Sequence, residues 1–425
     1  MRMDIIGLSR NYSLKHTDEY QDLKSRLHRY LIQCIEDDQV SLKQWEPEVL
    51  SSYAHGRISR YISEHHLAVN RDDIEALVRE LIDELTGYGP LQGLLADDKV
   101  DDILVNGAGN IYIERGGRLQ QTELRFIDDN HVLRVIQKIL APLGRRLDET
   151  NPMVDARLPD GSRVNAIIPP LSLDGPCLSI RKFRKEPLRS SDLLAYRTLD
   201  EDILEFLCRA VETRCNILIS GSTGSGKTTL LNILTRYIDE SQRIVTIEDA
   251  AELQLDHAHV VRLETRPPNI EGEGEVTARD LVRNVLRMRP DRIVLGEIRG
   301  MEVLDMLQAM NTGHEGSMST LHANSGRDAL SRLGMLAGLA AFKGTEETLR
   351  EMIASAVDLV VHVGRMPDGR RRITQIMELV GVQDGHYAIH ELFVHDAHSD
   401  SFRRVGGKPQ TAKLVSRPAH GGGER

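Results

Sequence analysis

Cysteine is scarce and scattered: four residues, at positions 34, 177, 208 and 215, with no CxxC pair and no histidine at zinc-finger spacing. That argues against structural zinc, and four distant thiols read as reduced core residues. The single tryptophan, Trp45, reads as a packing anchor rather than a platform for a ligand. Positive charge is in deficit, with 54 Lys and Arg against 64 Asp and Glu and a formal net charge of −10. A general nucleic-acid binder needs sequence-independent attraction to phosphate, so no nucleic-acid partner is expected, although local basic patches survive such a balance. No stretch approaches the ~18 consecutive apolar residues of a membrane span, the nearest being Gly334 to Phe342. The opening Met1-Arg2-Met3-Asp4 lacks the order of a signal peptide, so a soluble, cytoplasmic protein without a transmembrane segment is expected.

What is present exceeds one domain. At 425 residues the chain outgrows a single core, which stops enlarging at about 250 to 300 residues. Leu23, Leu27, Leu31 and Ile35, then Ile58 and Ile62, recur at helical steps, so residues 1–70 read as a helical extension. Residues 71–185 begin with a helix carrying Ile74, Leu77, Val78, Leu81, Ile82 and Leu85. Short strand-like runs broken by Gly, Asn and Asp follow, which is the texture of an α+β domain. Residues 186–199, with Pro187 and Ser190-Ser191, have linker composition. From 200 to 396 strands and helices alternate, which implies an α/β domain with a mostly parallel sheet and a ligand crevice at the strands' C-terminal ends. Leu359 to Val363 and Ile373 to Ile376 flank Met366-Pro367-Asp368-Gly369, a hairpin signal. Residues 397–425 are polar and Gly-rich and read as a disordered tail.

The most informative stretch is Gly221-Ser222-Thr223-Gly224-Ser225-Gly226-Lys227-Thr228-Thr229, set between the apolar run Ile217-Leu218-Ile219 and Leu230-Leu231. It fits GxxxxGK[ST], the phosphate-binding loop, in its strand-to-helix context. The glycines let several backbone N–H groups converge on one anion, and the first turn of the next helix adds its positive dipole end. Lys227 would reach the β- and γ-phosphates, and Thr228 would offer a hydroxyl to Mg²⁺.

Splitting a phosphate also requires carboxylates for metal and water, and donors for the transition state. Glu248 and Asp249 end one strand, with Glu252 at helical distance; Glu297 follows another, where the usual Walker B aspartate position holds Gly296. Metal and water duties fall to Glu297 and the Glu248/Asp249 pair, and which carboxylate is the base stays open. His322, at a strand's end, suits a donor that senses the γ-phosphate, against the alternative of a structural histidine; a metal pair with His314 is disfavoured. Arg279, Arg283 and Arg287 share a helix face, read either as a solvated surface or as a partner contact.

Four boxes in this order resemble the secretion ATPase superfamily of type II and type IV secretion and type IV pilus machines. They are Gly221 to Thr229, Ile247 to Leu253, Arg289-Pro290-Asp291 with Gly296 to Arg299, and Thr312-Gly313-His314 with Ser319 to Asn324. Asp101 to Gly107, Tyr112 to Gly117 and Asp155 to Ala166 look like the CpaF-type ATPase of tight-adherence (Tad) pili. The resemblance spans residues 70–395 or so. It implies a RecA-like ATPase domain behind a PAS-like α+β domain, a homo-hexameric ring, ATP and Mg²⁺ as cofactors, and an inner-membrane pilus or secretion platform as partner. It further implies that Lys227 and the loop glycines hold phosphate, that Glu248 and Glu297 handle metal and water, and that His322 senses the γ-phosphate. Arg157, Arg163 and Arg181 would reach the nucleotide from the preceding domain. Extension or retraction of a pilus, a type IV secretion traffic ATPase, a RecA-like nucleic-acid motor and a nucleotide-gated scaffold remain as readings.

Overall fold

A computed structural model describes residues 18–39, 45–183, 187–266, 268 and 273–415. The start of the helical extension, residue 186 of the linker stretch and residues 416–425 of the polar tail lie outside the described residues. The chain divides into two compact units, Met1–Arg184 and Lys185–Arg425.

In the first unit, helices α1 (Asp18–Asp37), α2 (Pro47–Glu64) and α3 (Arg71–Thr86) share one core built from Leu23, Leu27, Leu31, Ile58, Leu77 and Leu81. Buried Lys24 of α1 is 2.9 Å from Glu80 and 2.8 Å from Glu84 of α3, so the two helices are also joined by charge. The helical part therefore reaches through α3 rather than ending near residue 70, because the apolar stripe of α3 packs on α1 and α2. After the short α4 (Gln92–Ala96) come β1 (Asp102–Asn106), β2 (Asn110–Arg115), β3 (Arg118–Gln121), α5 (Asp129–Leu140), β4 (Met153–Arg157), β5 (Arg163–Ile167) and β6 (Cys177–Arg181). They form one antiparallel sheet, ordered β3-β2-β1-β6-β5-β4. Alternation sends Ile103, Val105, Val164, Ala166, Leu178 and Ile180 to one face, against Val132, Ile136 and Ile139 of α5. Asp128 caps α5 by accepting from the His131 N–H at 2.7 Å.

The second unit opens with α6 (Ser190–Ala195) and α7 (Glu201–Glu212). Leu193 and Leu199 are buried in its core, so the 186–199 stretch is packed structure from at least Leu193 onward and not a linker; its polar composition hid two apolar anchors. The remaining elements are β7 (Ile217–Gly221), α8 (Lys227–Leu234), β8 (Ile244–Glu248), β9 (Val260–Glu264), α9 (Ala278–Val285), β10 (Arg292–Leu295), α10 (Glu302–Asn311), β11 (Met318–His322), α11 (Gly326–Leu339), α12 (Glu346–Ala356), β12 (Leu359–Arg365), β13 (Arg371–Gln383), β14 (His386–Asp396), β15 (Ser401–Arg404) and α13 (Ala412–Val415). The sheet runs β15-β14-β13-β12-β7-β11-β10-β8-β9. β12, β7, β11, β10, β8 and β9 are parallel, and β13 to β15 add antiparallel strands at one edge. β7, β8 and β10 are buried along their whole length, as expected of strands covered on both faces.

One residue fixes the start of three strands. Buried Asn216 donates to the carbonyls of Met310 and Ala356, accepts from Gly316 and Ser317, and its own N–H donates to Asp358. The tail expectation is corrected as far as Val415. Leu414 is 2% exposed, Arg209 donates to its carbonyl at 2.8 Å, and Lys413 lies 2.7 Å from Asp358. Buried Glu378 holds the N–H groups of Gln410 and Thr411, ordering a segment whose composition alone reads as unstructured.

Candidate nucleotide site

β7, the central strand of the nine, delivers the loop 221–226 between β12 and β11, and α8 starts at Lys227. A β-carbon at Gly221 would sit 2.3 Å from the Val363 carbonyl oxygen of β12, so only glycine permits this close approach of backbone. Gly226, at φ +98°, precedes the first helical residue in a left-handed conformation that leaves the N–H groups of the first turn of α8 facing outward. Just beneath, Ser220 Oγ and His362 Nδ1 are 2.8 Å apart.

Lys227 is 7% exposed. Its ammonium donates to the Ser222 carbonyl at 3.0 Å and lies 3.2 Å from His322 Nδ1. On the other side of the ring, His322 Nε2 is 3.0 Å from Glu297 Oε1. Glu297 Oε2 accepts from Arg299 at 2.7 Å, and Arg299 also reaches Asp249 at 3.1 Å. Five groups from four separate stretches of sequence thus form one chain: Lys227, His322, Glu297, Arg299 and Asp249. Burial, and then the charge of Lys227, lower the pKa of His322, so the ring is neutral near pH 7. A neutral ring facing an ammonium accepts at Nδ1, which leaves the proton on Nε2 to donate to Glu297. The hydrogen bond from Arg299 to Glu297 raises the arginine's pKa. Arg299 is more than half exposed, and exposed pairs contribute only about 0 to 1 kcal/mol, so its contacts position Glu297 and Asp249 more than they stabilise the fold.

Glu248, at the end of β8, is 4% exposed. One oxygen accepts from the N–H groups of Glu252 and Leu253 at 2.7 and 2.9 Å. The other, Oε1, has no hydrogen-bond partner among the described residues. Burial raises the Glu248 pKa, a shift that the two backbone donors offset only in part. Thr228 is half-buried in the first turn of α8. Mg²⁺ bound with nucleotide keeps phosphate and water oxygens and takes few from protein; the Thr228 hydroxyl and Glu297 fit that donor set, and the orphan oxygen of Glu248 is left to meet a water.

The two halves of the last box part company. His322 ends β11, whereas Thr312-Gly313-His314 precedes the strand's start. There Gly316 leaves space for buried Arg292, which donates to the carbonyls of Gly316 and Val211 and to Gln242. No group of three or more metal-ligating side chains is present among the described residues. Arg279 and Arg283 both hold Asp305 of α10, at 2.9 and 2.8 Å, so that face is partly used within the chain. Arg157, Arg163 and Arg181 lie in the first unit, where the register places them directly opposite one another across β4, β5 and β6.

A model described as "Type II/IV secretion system protein" matches residues 84–406. The chain belongs to that family. A "putative conjugal transfer protein" of Mycobacterium tuberculosis is 41% identical over 316 residues, covering 72% of this chain and 88% of that one. The type IV secretion system protein VirB11 of Brucella suis is 31% identical over 327 residues, with 69% and 90% covered. Among solved structures, the ATPase DotB of Yersinia pseudotuberculosis superposes with a TM-score of 0.51 at 19% identity, covering 70% of this chain and 79% of that one, a likeness of fold. The second unit is accordingly the RecA-like domain of a secretion-family protein. Among the described residues no helix is long and apolar enough to cross a membrane.

Two contacts around the loop and the carboxylates are not announced by the sequence. Arg299 reads from sequence only as part of a box, though it ties Asp249 to Glu297. Arg371 of β13 donates to the Gly224 carbonyl at 2.9 Å; the only sequence signal for it is an arginine on each side of a hairpin turn.

Proposed function

We propose that the chain is a Mg²⁺-dependent ATPase that acts as a homo-hexameric motor on an inner-membrane platform from the cytoplasmic side. The observation that carries this reading is the unbroken chain from Lys227 through His322 to Glu297, beside the orphan oxygen of buried Glu248. A triphosphate on the loop competes with Ser222 and His322 for the Lys227 ammonium. Once the ammonium turns to the phosphate, His322 Nδ1 no longer faces a donor and can take up a proton to donate to the γ-phosphate, while Nε2 keeps its proton toward Glu297, so the γ-phosphate state is communicated across β11 to β10. Glu248, whose raised pKa favours proton acceptance, orients the attacking water; Glu297, fixed by two donors, remains the anionic ligand. Bound Mg²⁺ offsets the charge of the triphosphate. Arg157, Arg163 and Arg181 form one row of positive charge that suits the nucleotide's phosphates.

The finer reading is assembly of a Tad pilus, supported by the boxes at Asp101 to Gly107 and Asp155 to Ala166. A second reading, a type IV secretion traffic ATPase, is favoured by the relatives' names, conjugal transfer protein and VirB11. Deleting the gene separates them: loss of surface pili supports the first, and loss of conjugation or effector export with pili intact supports the second. The activity itself is tested by phosphate release from ATP with Mg²⁺, for wild type and Lys227→Ala. Turnover that survives in the variant contradicts the assignment of the loop. Stimulation by DNA with steep salt dependence would instead indicate a nucleic-acid motor.

A further inference from the structure

The loop has two flanks in the sheet. On the β11 side stand His322 and, beyond it, Glu297. On the β12 side stands the hairpin of β12 and β13, whose turn is Met366 to Arg370. Arg365 closes β12 and Arg371 opens β13, and the register pairs these two residues directly. Directly paired residues in an antiparallel ladder send their side chains to the same face.

Both arginines lie along the phosphate loop. Arg371 Nε donates to the Gly224 carbonyl at 2.9 Å, and its Cδ would be 3.4 Å from a β-carbon at Gly226. Arg365 Nη1 would be 3.8 Å from a β-carbon at Gly224. The two glycines have φ of +70° and +98°, so the loop's conformation at these points has no intrinsic side-chain support. The contact from Arg371 supplies support from outside, and it brings a planar guanidinium with further donors to offer.

Lys227 turns toward His322, so the triphosphate's terminal end belongs on the β11 flank. The opposite flank is where the chain of phosphates continues toward the nucleoside. We propose that Arg371 and Arg365 are nucleotide-binding residues of this second flank, contacting the phosphate nearer the nucleoside, with Arg371 also positioning Gly224. This rests on the reading of the loop as an ATP site. Contacts made to a phosphate that does not react are made equally in the ground and transition states, so they govern affinity rather than the rate of cleavage. ADP and ATP keep that phosphate alike.

The test is binding of fluorescently labelled ADP and ATP by the full chain, with single-turnover cleavage of saturating ATP, for wild type, Lys227→Ala, Arg365→Ala, Arg371→Ala and Arg371→Lys. Each arginine-to-alanine change is expected to weaken ADP and ATP to the same degree, about tenfold for one charged hydrogen bond. The cleavage rate at saturation should stay near wild type, and Arg371→Lys should recover part of the affinity. A purely structural role for Arg371 would lower the melting temperature without that matched loss, and unchanged affinity in both alanine variants overturns the proposal. A fall in cleavage rate with affinity intact overturns it too, by moving the residues into the chemistry. These outcomes differ from failure of the ATP-site reading, in which wild type and Lys227→Ala bind nucleotide equally poorly and this proposal falls with it.

Discussion

Gly296 makes room for Glu248. A β-carbon at Gly296 would lie 3.1 Å from Glu248 Cγ and 3.4 Å from the Ile247 carbonyl, so the strand that ordinarily carries a Walker B aspartate leaves that space to the carboxylate of its neighbour β8. The acidic function moves across the ladder and is buried there. Removing only its charge tests this arrangement. In Glu248→Gln the side-chain oxygen still accepts from Glu252 and Leu253, and the cost of burying a carboxylate disappears. Calorimetry should give a melting temperature equal to or above wild type, while ATP turnover falls about 100-fold. A stable variant with undiminished turnover would remove Glu248 from the chemistry.

Much of this arrangement was legible in the sequence. Ile217 to Ile219 and Arg292 to Leu295 read as buried strands because both faces are covered and every position is apolar or paired. His322 and Glu297 could be placed at strand ends for the same reason. The hydrogen bond from Arg371 to Gly224 links residues 147 apart, and no local pattern announces such a contact. The α6 segment and the residues up to Val415 were misread because each is held by a few anchors, Leu193, Leu199, Leu414 and Glu378, within otherwise polar composition.

The C-terminal segment offers a second check. Burial works against the charge of Glu378, and donors from Thr411, Gln410 and His390 outweigh it, holding its pKa below the ordinary value. Among the described residues, a chain ending at Pro409 leaves the Glu378 carboxylate with His390 as its one remaining partner. Breaking such a site costs about 3 kcal/mol, or about 10 °C in the melting of a unit this size. Lys413→Ala, which removes a partly exposed pair, should cost less than about 1 kcal/mol. Equal melting of the truncated and full chains would show that the segment is not anchored.

Acid stability of the first unit depends on His131. It is 6% exposed, accepts at Nδ1 from the Ile127 N–H at 3.4 Å, and burial lowers its pKa from 6.5. The unfolded chain takes up a proton near pH 6.5 that the folded chain refuses, so stability is constant above that value and declines as pH falls through it. Burial lowers His28 in the same unit as well, which makes the difference between wild type and His131→Gln the informative quantity. Denaturant midpoints between pH 7.5 and pH 5.5 should decline less steeply in the variant. Parallel declines would mean that His131 carries none of the effect.

The central claim is that ATP bound on the Lys227 turn is cleaved by groups at the ends of β8, β10 and β11. Single-turnover release of γ-phosphate from ATP, in wild type and Glu297→Gln at saturating nucleotide and Mg²⁺, tests it most directly. The account predicts that the variant retains bound ATP and releases phosphate about 100-fold more slowly or worse. Release at the wild-type rate, with ATP still bound, would contradict it.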